Sequence, residues 1–370
     1  VKPPDIKGCL LDDLQAQLRA WDEPSYRAGQ LAHWLYTRRV TRWEEMTNLP
    51  QALRKRLAEG FRFEQLELVR CQGAEDTTRK FLWRLADGQL IESVLIPANP
   101  ALYGEASDRL TLCVSTQVGC AYGCVFCASG LAGWKRNLEA HEIVGQVLAA
   151  ERAAGSAPGD RSVTNLVFMG MGEPLANYEH LLRALRILNA PWGMGIGARK
   201  ITLSTSGLAP QIRQLAAEPM QVRLAISLHG ATDAVRQQIM PVNRKYPLAE
   251  LTAACETYLA TKGRMITFEY ILIAGINDQP AHAEPLAVLA KRLRAKVNLI
   301  PYNRVEGLAW ERPTPAAQEA FLELLLAREV QATLRREKGT DIEAACGQLR
   351  LRVEKELSQG EAGAAPDAGG

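Results

Sequence analysis

No run of 18 or more apolar residues occurs in this 370-residue chain, so no transmembrane helix is expected. The opening Val1-Lys-Pro-Pro-Asp is polar and lacks the apolar core of a secretory signal. The expectation is a cytoplasmic chain. Net charge is scarce: 44 Lys and Arg against 41 Asp and Glu leave +3. That total does not by itself argue for nucleic acid. No internal repeat is visible. What remains is ordinary globular composition, 47% hydrophobic and 23% charged, with length enough for one large domain plus an accessory, or for two domains.

Local charge says more than the total. Arg38, Arg39, Arg42, Arg54, Lys55 and Arg56 crowd one segment against Glu44 and Glu45. This is either a solvated helix face or a phosphate-contacting patch. Eight cysteines are present. In a reducing compartment, clustered cysteines point to metal or redox chemistry rather than a disulfide scaffold.

The first 60 or so residues read as helices. Leu10, Leu11, Leu14, Leu18 and Trp21 recur at helical spacing, then Leu31, Trp34 and Leu35, with Asp22-Glu-Pro between them. A further short helix is expected after Asn48-Leu-Pro. From Leu66 to Pro97 the pattern turns to strands. From about Arg109, strands and helices alternate. Strands are expected at Leu110–Ser115, Val163–Met169, Lys200–Thr205, Val222–Leu228, Ile266–Ile273 and Lys296–Pro301, with helical patterns between them. Another helix, Pro315–Ala327, follows the last, and Val330–Arg335 offers a short added strand. About six βα units predict an α/β fold, a partial (βα)6 barrel with its site at the strands' C-terminal ends.

The strongest chemical signal is Gly119-Cys120-Ala-Tyr-Gly-Cys124-Val-Phe-Cys127, just after the first strand of that array. Three thiolates at this spacing can wrap one side of a cubane cluster, leaving one iron open. Structural zinc wants four ligands and usually a second Cys-x2-Cys knuckle, and the sequence has none. The motif resembles the radical-SAM superfamily, in which the open iron binds S-adenosylmethionine (SAM). The metal ligands are then Cys120, Cys124 and Cys127, and the cofactors a [4Fe–4S] cluster and SAM.

Further polar groups fall at strand ends. Met169-Gly-Met-Gly-Glu-Pro174 puts Gly172 where backbone can approach a ligand, and Glu173 where a carboxylate can accept from an ammonium. In a radical-SAM array this turn resembles the motif for the SAM amino group. Ser204, then Ser227, Leu228 and His229, then Asn303 follow on later strands. They are candidate cofactor contacts, with turn residues and a hydrogen-bonded structural histidine as the bland alternatives. Cys346 near the C-terminus and Cys113 seven residues before Cys120 carry little by themselves. The second would ordinarily be a buried strand cysteine.

Taken together, the motifs closely resemble the dual-specificity RNA adenine carbon-2 methyltransferases, from about residue 8 to about 350. The resemblance lies in Tyr26-Arg-Ala, His33-Trp-Leu-Tyr, Glu45-Met-Thr-Asn-Leu-Pro, Cys113-Val-Ser-Thr-Gln-Val-Gly-Cys, Arg136-Asn-Leu, Gly172-Glu-Pro, Leu203-Ser-Thr-Ser-Gly and Ile342-Glu-Ala-Ala-Cys-Gly-Gln-Leu. It implies a helical accessory and candidate RNA-binding domain at 1–65, a β linker at 66–105, a radical-SAM core at 106–350 and a partly disordered tail at 351–370.

The resemblance also implies the chemistry. Carbon 2 of adenine is electron-poor and does not attack SAM directly. Cys346 takes a methyl from one SAM. A second SAM yields a radical that removes hydrogen from that S-methyl, the resulting carbon radical adds to the adenine and links it to Cys346, and loss of an electron and a proton follows. Cys113 then attacks the Cys346 sulfur, freeing the base and leaving a disulfide for thiol exchange. Glu92 aligns with the proton acceptor, although the following loop is longer here than in the family; an exposed strand glutamate is the alternative. Cys9, Cys71 and Cys255 match no motif and read as structural.

Implied partners are large-subunit ribosomal RNA, transfer RNA and a reductant such as flavodoxin; the chain is expected to be a monomer with no membrane partner. Three rivals remain: a carbon-8 adenine methyltransferase conferring antibiotic resistance, which shares both reactive cysteines; a non-catalytic RNA-binding assembly factor; and another radical-SAM reaction, such as an activase that generates a protein radical, which has no evident use for Cys346 and Cys113.

Overall fold

The computed structural model describes residues 2–73, 77–98, 107–131, 133–305, 307–335, 349–354 and 356. Cys346 lies outside the described residues, as does the tail beyond 356.

The accessory region holds helices α1 (Leu11–Ala20), α2 (Tyr26–Ala32) and α3 (Gln51–Gly60). Leu14 and Leu18 of α1, Leu31 of α2, and Leu53 and Leu57 of α3 are buried, as the helical spacing dictates. Three strands follow: β1 (Glu67–Gly73), β2 (Arg79–Arg84) and β3 (Leu90–Pro97). They are antiparallel to one another, and β3 pairs antiparallel with β4 (Leu110–Cys113). The segment that reads as a β linker is therefore hydrogen-bonded into the main sheet.

Parallel pairing continues from β4 through β7 (Asn165–Phe168), β8 (Ile201–Thr205), β9 (Arg223–Ser227), β10 (Thr267–Leu272), β11 (Lys296–Pro301) and β12 (Ala332–Leu334). Between β4 and β7 lies a separate hairpin, β5 (Gln117–Gly119) with β6 (Trp134–Asn137), followed by a helix at Ala140–Ala153. Helices at Tyr178–Asn189, Ala209–Ala217, Leu248–Lys262, Pro280–Arg292 and Pro315–Ala327 cover the later crossovers. This is a partial TIM-like barrel of six βα units with a short seventh strand. None of the described helices is long and apolar enough to cross a membrane.

Strand boundaries match the sequence pattern to within two residues. A helix at Asp233–Ile239, capped by the Thr232 hydroxyl, was not anticipated; with only seven residues it is too short to show an apolar period. The β5–β6 hairpin was also missed, because residues 117–137 carry a cysteine and glycine pattern in place of strand alternation.

The alternation along the strands locates the cavity. On β7, Leu166 and Phe168 are buried, and on β11 Val297 and Leu299, while Asn165, Val167, Asn298 and Ile300 are only half-buried. A parallel sheet covered by helices on both faces would read apolar throughout. Here one face packs the helices and the other lines an open interior. The register puts Cys113 opposite Val167, Ser227 opposite Glu269, Glu269 opposite Asn298 and Asn298 opposite Thr333. The inner face thus carries a row of polar groups beside Val167 and Ile300.

The accessory helices share one continuous apolar core with the barrel. Polar ties reinforce the seam. Arg39 donates to the carbonyls of Ser156, Ala157 and Asp160, and Arg183 to that of Gly8. Asp5, Glu64 and His141 form the described trio of ligand-type side chains with donor atoms within 4.8 Å of one another. Both Asp5 oxygens already accept backbone N–H groups, from Lys7 and Glu64, and Arg62 pairs with Glu64. The trio is an ion-pair junction between accessory and barrel.

Candidate active site

The cysteine loop is stitched to the sheet before it reaches its first ligand. Ser115 donates its hydroxyl to the Glu92 carbonyl (2.6 Å), while its N–H and carbonyl engage the Gln146 amide (2.9 Å each). Arg136 grips both Glu142 oxygens (2.7 and 2.8 Å) and Asp87 (2.7 Å). That clamp explains Arg136 in the sequence motif: a planar fork fixes the hairpin to a helix and a turn at once. The Cys120 N–H donates to the Gly133 carbonyl (3.0 Å). A Cβ on Gly119, whose φ is +77°, would sit 1.8 Å from that carbonyl oxygen, so this crossing admits only glycine.

Cys120, Cys124 and Cys127 are half-buried at the C-terminal end of β4. Burial pushes the Cys120 thiol up to about 12, and the Cys127 and Glu173 charges add to it. Cys124 is raised too, by burial and then by Cys127 and Cys120. Thiols that raise one another in this way share one small volume and lose their protons when a metal replaces them. Three thiols on one loop suit three irons of a cubane cluster, where a structural zinc would want a fourth ligand.

The next strand end brings Glu173 beside them. Its N–H donates to Gln117 Oε1 (2.8 Å), and its carboxylate accepts from the N–H groups of Leu175 (3.0 Å) and Ser206 (2.6 Å). Burial raises its pKa, and those hydrogen bonds oppose the rise. The Ser206 and Thr205 side chains lie on the same carboxylate and add to those bonds. Gly172 has φ +98°, and a Cβ there would strike the Gln117 side chain at 2.5–2.8 Å.

Ser204 and Ser227 lie on adjacent strands with hydroxyls 3.2 Å apart. Leu228 turns its side chain into the core. Its N–H donates to the Glu269 carbonyl, and its carbonyl accepts from Gly230 N–H and Arg236, so its main chain is engaged within the fold as well. His229, at φ +56°, accepts from the Ile271 N–H through Nδ1 (3.0 Å) and meets Phe126 edge-on, centroids 4.8 Å apart. Burial lowers its pKa to about 3, helped by the Arg236 charge, so the ring is neutral. Asn303 is exposed beyond β11.

Sequence reasoning passed over two organising residues. Arg236, buried, bridges the Leu228 and Ser206 carbonyls and Asn243 Oδ1, locking two strand ends together; nothing local marks it. Gln117 was inside a quoted motif, yet only the fold reveals that it carries Glu173.

Cys113 is buried on the inner face of β4, paired across to Val94 of β3. The exposed-strand alternative for Glu92 fails, since Glu92 is 2% exposed and pairs with Lys80 Nζ at 3.0 Å. Cys9 and Cys255 are buried, as structural cysteines should be, but Cys71 is exposed on the edge strand β1. The basic segment also needs correction. Arg39 is buried in the seam and leaves the candidate RNA surface, whereas Arg38, Arg42, Lys55 and Arg56 stay exposed. Beside them Tyr26 is 59% exposed with Arg27 over its ring, and Arg38 lies over Trp34.

The chain is similar to known proteins over most of its length. Residues 114–284 match the radical SAM superfamily, and residues 5–62 match the ribosomal RNA large subunit methyltransferase N-terminal domain. A probable dual-specificity RNA methyltransferase of Opitutus terrae is 55% identical over 96% of each chain. One from Akkermansia muciniphila is 54% identical over 96% of this chain and 98% of its own. A dual-specificity RNA methyltransferase of Anaeromyxobacter dehalogenans is 50% identical over 94% and 91%. The crystal structure of a radical SAM methyltransferase from Sphaerobacter thermophilus superposes with a TM-score of 0.87 at 47% identity, covering 94% of this chain and 99% of that one.

Proposed function

The chain belongs to the dual-specificity RNA methyltransferase family of radical SAM enzymes, and from that membership we propose that it methylates carbon 2 of adenine in large-subunit ribosomal RNA, at the peptidyl transferase centre, and in a subset of transfer RNAs beside the anticodon. Enzymes of this family use a [4Fe–4S] cluster and SAM. Cys120, Cys124 and Cys127 would hold the cluster, which with SAM supplies a hydrogen-abstracting radical at the open end of the barrel. Glu173 would take the SAM ammonium, with Gly172, Ser204, Ser227, Leu228, His229 and Asn303 as the remaining candidate contacts.

Cys346 would accept a methyl on sulfur, lose one hydrogen from it to the radical and bond that carbon to the base, after which one electron and the carbon-2 proton leave the adduct. Cys113 would then attack the Cys346 sulfur. The sulfur–carbon bond breaks, a disulfide forms, and methyl-adenine leaves; thiol exchange resets the pair. Glu92 is the candidate proton acceptor. The base must leave its stack to reach this interior. Tyr26, Arg27, Arg38, Arg42, Lys55 and Arg56 offer the cation and aromatic surface suited to folded RNA. A reductant such as flavodoxin and a monomeric, cytoplasmic enzyme complete the reading.

The observation that carries this proposal is Cys113: a thiol outside the three-cysteine motif, on the inner face of the strand leading into it. A radical-SAM enzyme that only activates another protein has no use for it. The test is nucleoside mass spectrometry of unmodified ribosomal RNA after incubation with anaerobically reconstituted enzyme, SAM and reductant. 2-Methyladenosine is the expected product. 8-Methyladenosine would move the chain to the resistance class, and no methylated adenosine from cluster-loaded protein would leave the assembly-factor reading.

A further inference from the structure

The sheet face that carries Cys113 also carries a buried ion pair. Lys80 on β2 and Glu92 on β3 meet at 3.0 Å, both essentially without exposure. The other Glu92 oxygen accepts the backbone N–H of Arg350 at 2.6 Å. Arg350 lies in a short helix at 349–354, whose Leu349 and Val353 pack on Leu82 and Leu90 in a small cluster separate from the main core. We propose that the Lys80–Glu92 pair is a latch that seats this helix on the sheet and thereby sets the reach of Cys346 toward Cys113. The link to Cys346 rests on the functional reading above; the latch itself does not.

Register brings the parts together. Val94 is the cross-strand partner of both Lys80 and Cys113. Glu92 lies two residues from Val94, so it projects from the same face as Cys113. Such diagonal neighbours sit about 7–8 Å apart. Cys346 precedes Arg350 by four residues. A fully extended chain covers about 3.6 Å per residue, so fixing Arg350 confines the Cys346 Cα to within about 14 Å of it.

Among the described residues, the helix is otherwise tied by half-exposed ion pairs, Arg70 with Glu356 at 2.9 Å and Lys135 with Glu354 at 3.7 Å, which water screens. Arg350 is fully buried, and none of its three guanidinium nitrogens makes a hydrogen bond; Glu354 is 3.8 Å from Nε. A buried cation so poorly satisfied opposes docking. Against it stand two apolar side chains, the two half-exposed ion pairs and one charge-assisted bond, from the Arg350 N–H to Glu92. Lys80 holds one Glu92 oxygen and leaves the other aimed at the Arg350 N–H. Glu92 is then a positioning residue, whatever proton it also handles.

The test compares Lys80→Met/Glu92→Gln with Lys80→Met/Glu92→Leu in the full-length, cluster-loaded enzyme. Both remove the two charges together, so neither strands a buried ion. Gln keeps an oxygen for the Arg350 N–H, and Leu has none. Hydrogen exchange of the peptide covering 349–354 is read beside kcat and KM for RNA methylation. The Leu variant should lose protection about tenfold, the effect of one charge-assisted bond. Its kcat should fall with KM for RNA unchanged, and the Gln variant should recover the protection. Recovery of kcat as well would make positioning the whole role of Glu92; recovery of protection alone would leave the latch standing and add proton transfer to the same carboxylate.

Wild-type protection in the Leu variant would overturn the latch. Lost protection with unchanged kcat would overturn its link to Cys346. Failure of the functional reading shows separately, as no methylated adenosine from the wild type. Should the Leu variant not fold, Leu349→Ala/Val353→Ala removes the apolar seat without touching the strands and must give the same loss of kcat.

Discussion

Gly172→Ala tests whether the turn after β7 is built around the Gln117 side chain. The added methyl would stand 2.5 Å from Gln117 Cβ, 2.6 Å from Cγ and 2.8 Å from Oε1, at a backbone φ of +98°. Two costs follow. A residue with a Cβ held in that region costs about 1–3 kcal/mol. Displacing Gln117 strands the buried Glu173 N–H, now bonded at 2.8 Å, for about 1–3 kcal/mol more. The expected loss of stability is thus about 2–6 kcal/mol, read from urea melts. If Glu173 holds the SAM ammonium, moving it forfeits a charged hydrogen bond of about 1.5–3 kcal/mol and raises the Kd for SAM about 10- to 100-fold. Anaerobic titration calorimetry on cluster-loaded enzyme measures that. Gly263→Ala is the control. Its φ is +59° with no atom within 4 Å of the added Cβ, so it should cost about 1 kcal/mol of stability and leave SAM binding alone. A Gly172→Ala enzyme binding SAM within threefold of wild type would refute the reasoning.

Three further outcomes are expected. Cys113→Ala should accumulate a covalent protein–RNA adduct, visible as a shifted band on a denaturing gel that survives boiling; normal turnover would end the resolving role. Trp134, 50% exposed beside the cysteine loop, is placed to stack on a displaced base. Trp134→Ala should raise KM for RNA by about 1–3 kcal/mol in equivalent terms, with Trp134→Phe restoring most of it, and an unchanged KM would dismiss the contact. His229 has a folded-state pKa lowered by burial from 6.5 to about 3, so its contribution to stability is complete above pH 6.5 and is lost as pH falls toward 3. That slope is about 1.4 kcal/mol per pH unit within the window. Replacing His229 with Gln should remove it from urea melts between about pH 5 and 6, and an identical slope in the variant would count against the buried neutral ring.

Local spacing determined much of this protein. Outside the β5–β6 hairpin and the helix at Asp233–Ile239, the strand and helix periods from Leu110 to Leu334 were legible because each depends only on neighbours two or about four residues away. The Cys120–Cys124–Cys127 ligand set was legible for the same reason: one loop carries all three thiols. Gly119 and Gly172 stood out as residue types, though only the close approach of Gly133 and Gln117 explains why a methyl is barred. Tertiary structure alone decided the rest. Arg39 reads as one more cation in a basic run until the fold buries it against three carbonyls. Arg236 has no local mark, because its task is to join two strand ends. Glu92 reads as an ordinary strand residue. Its partners are Lys80, on the neighbouring strand, and the N–H of Arg350, 258 residues away in the chain. Periodicity specifies which face a side chain takes. Which other face it will meet is set only when long loops close and the sheet curls, and those contacts leave no pattern in the sequence around either partner.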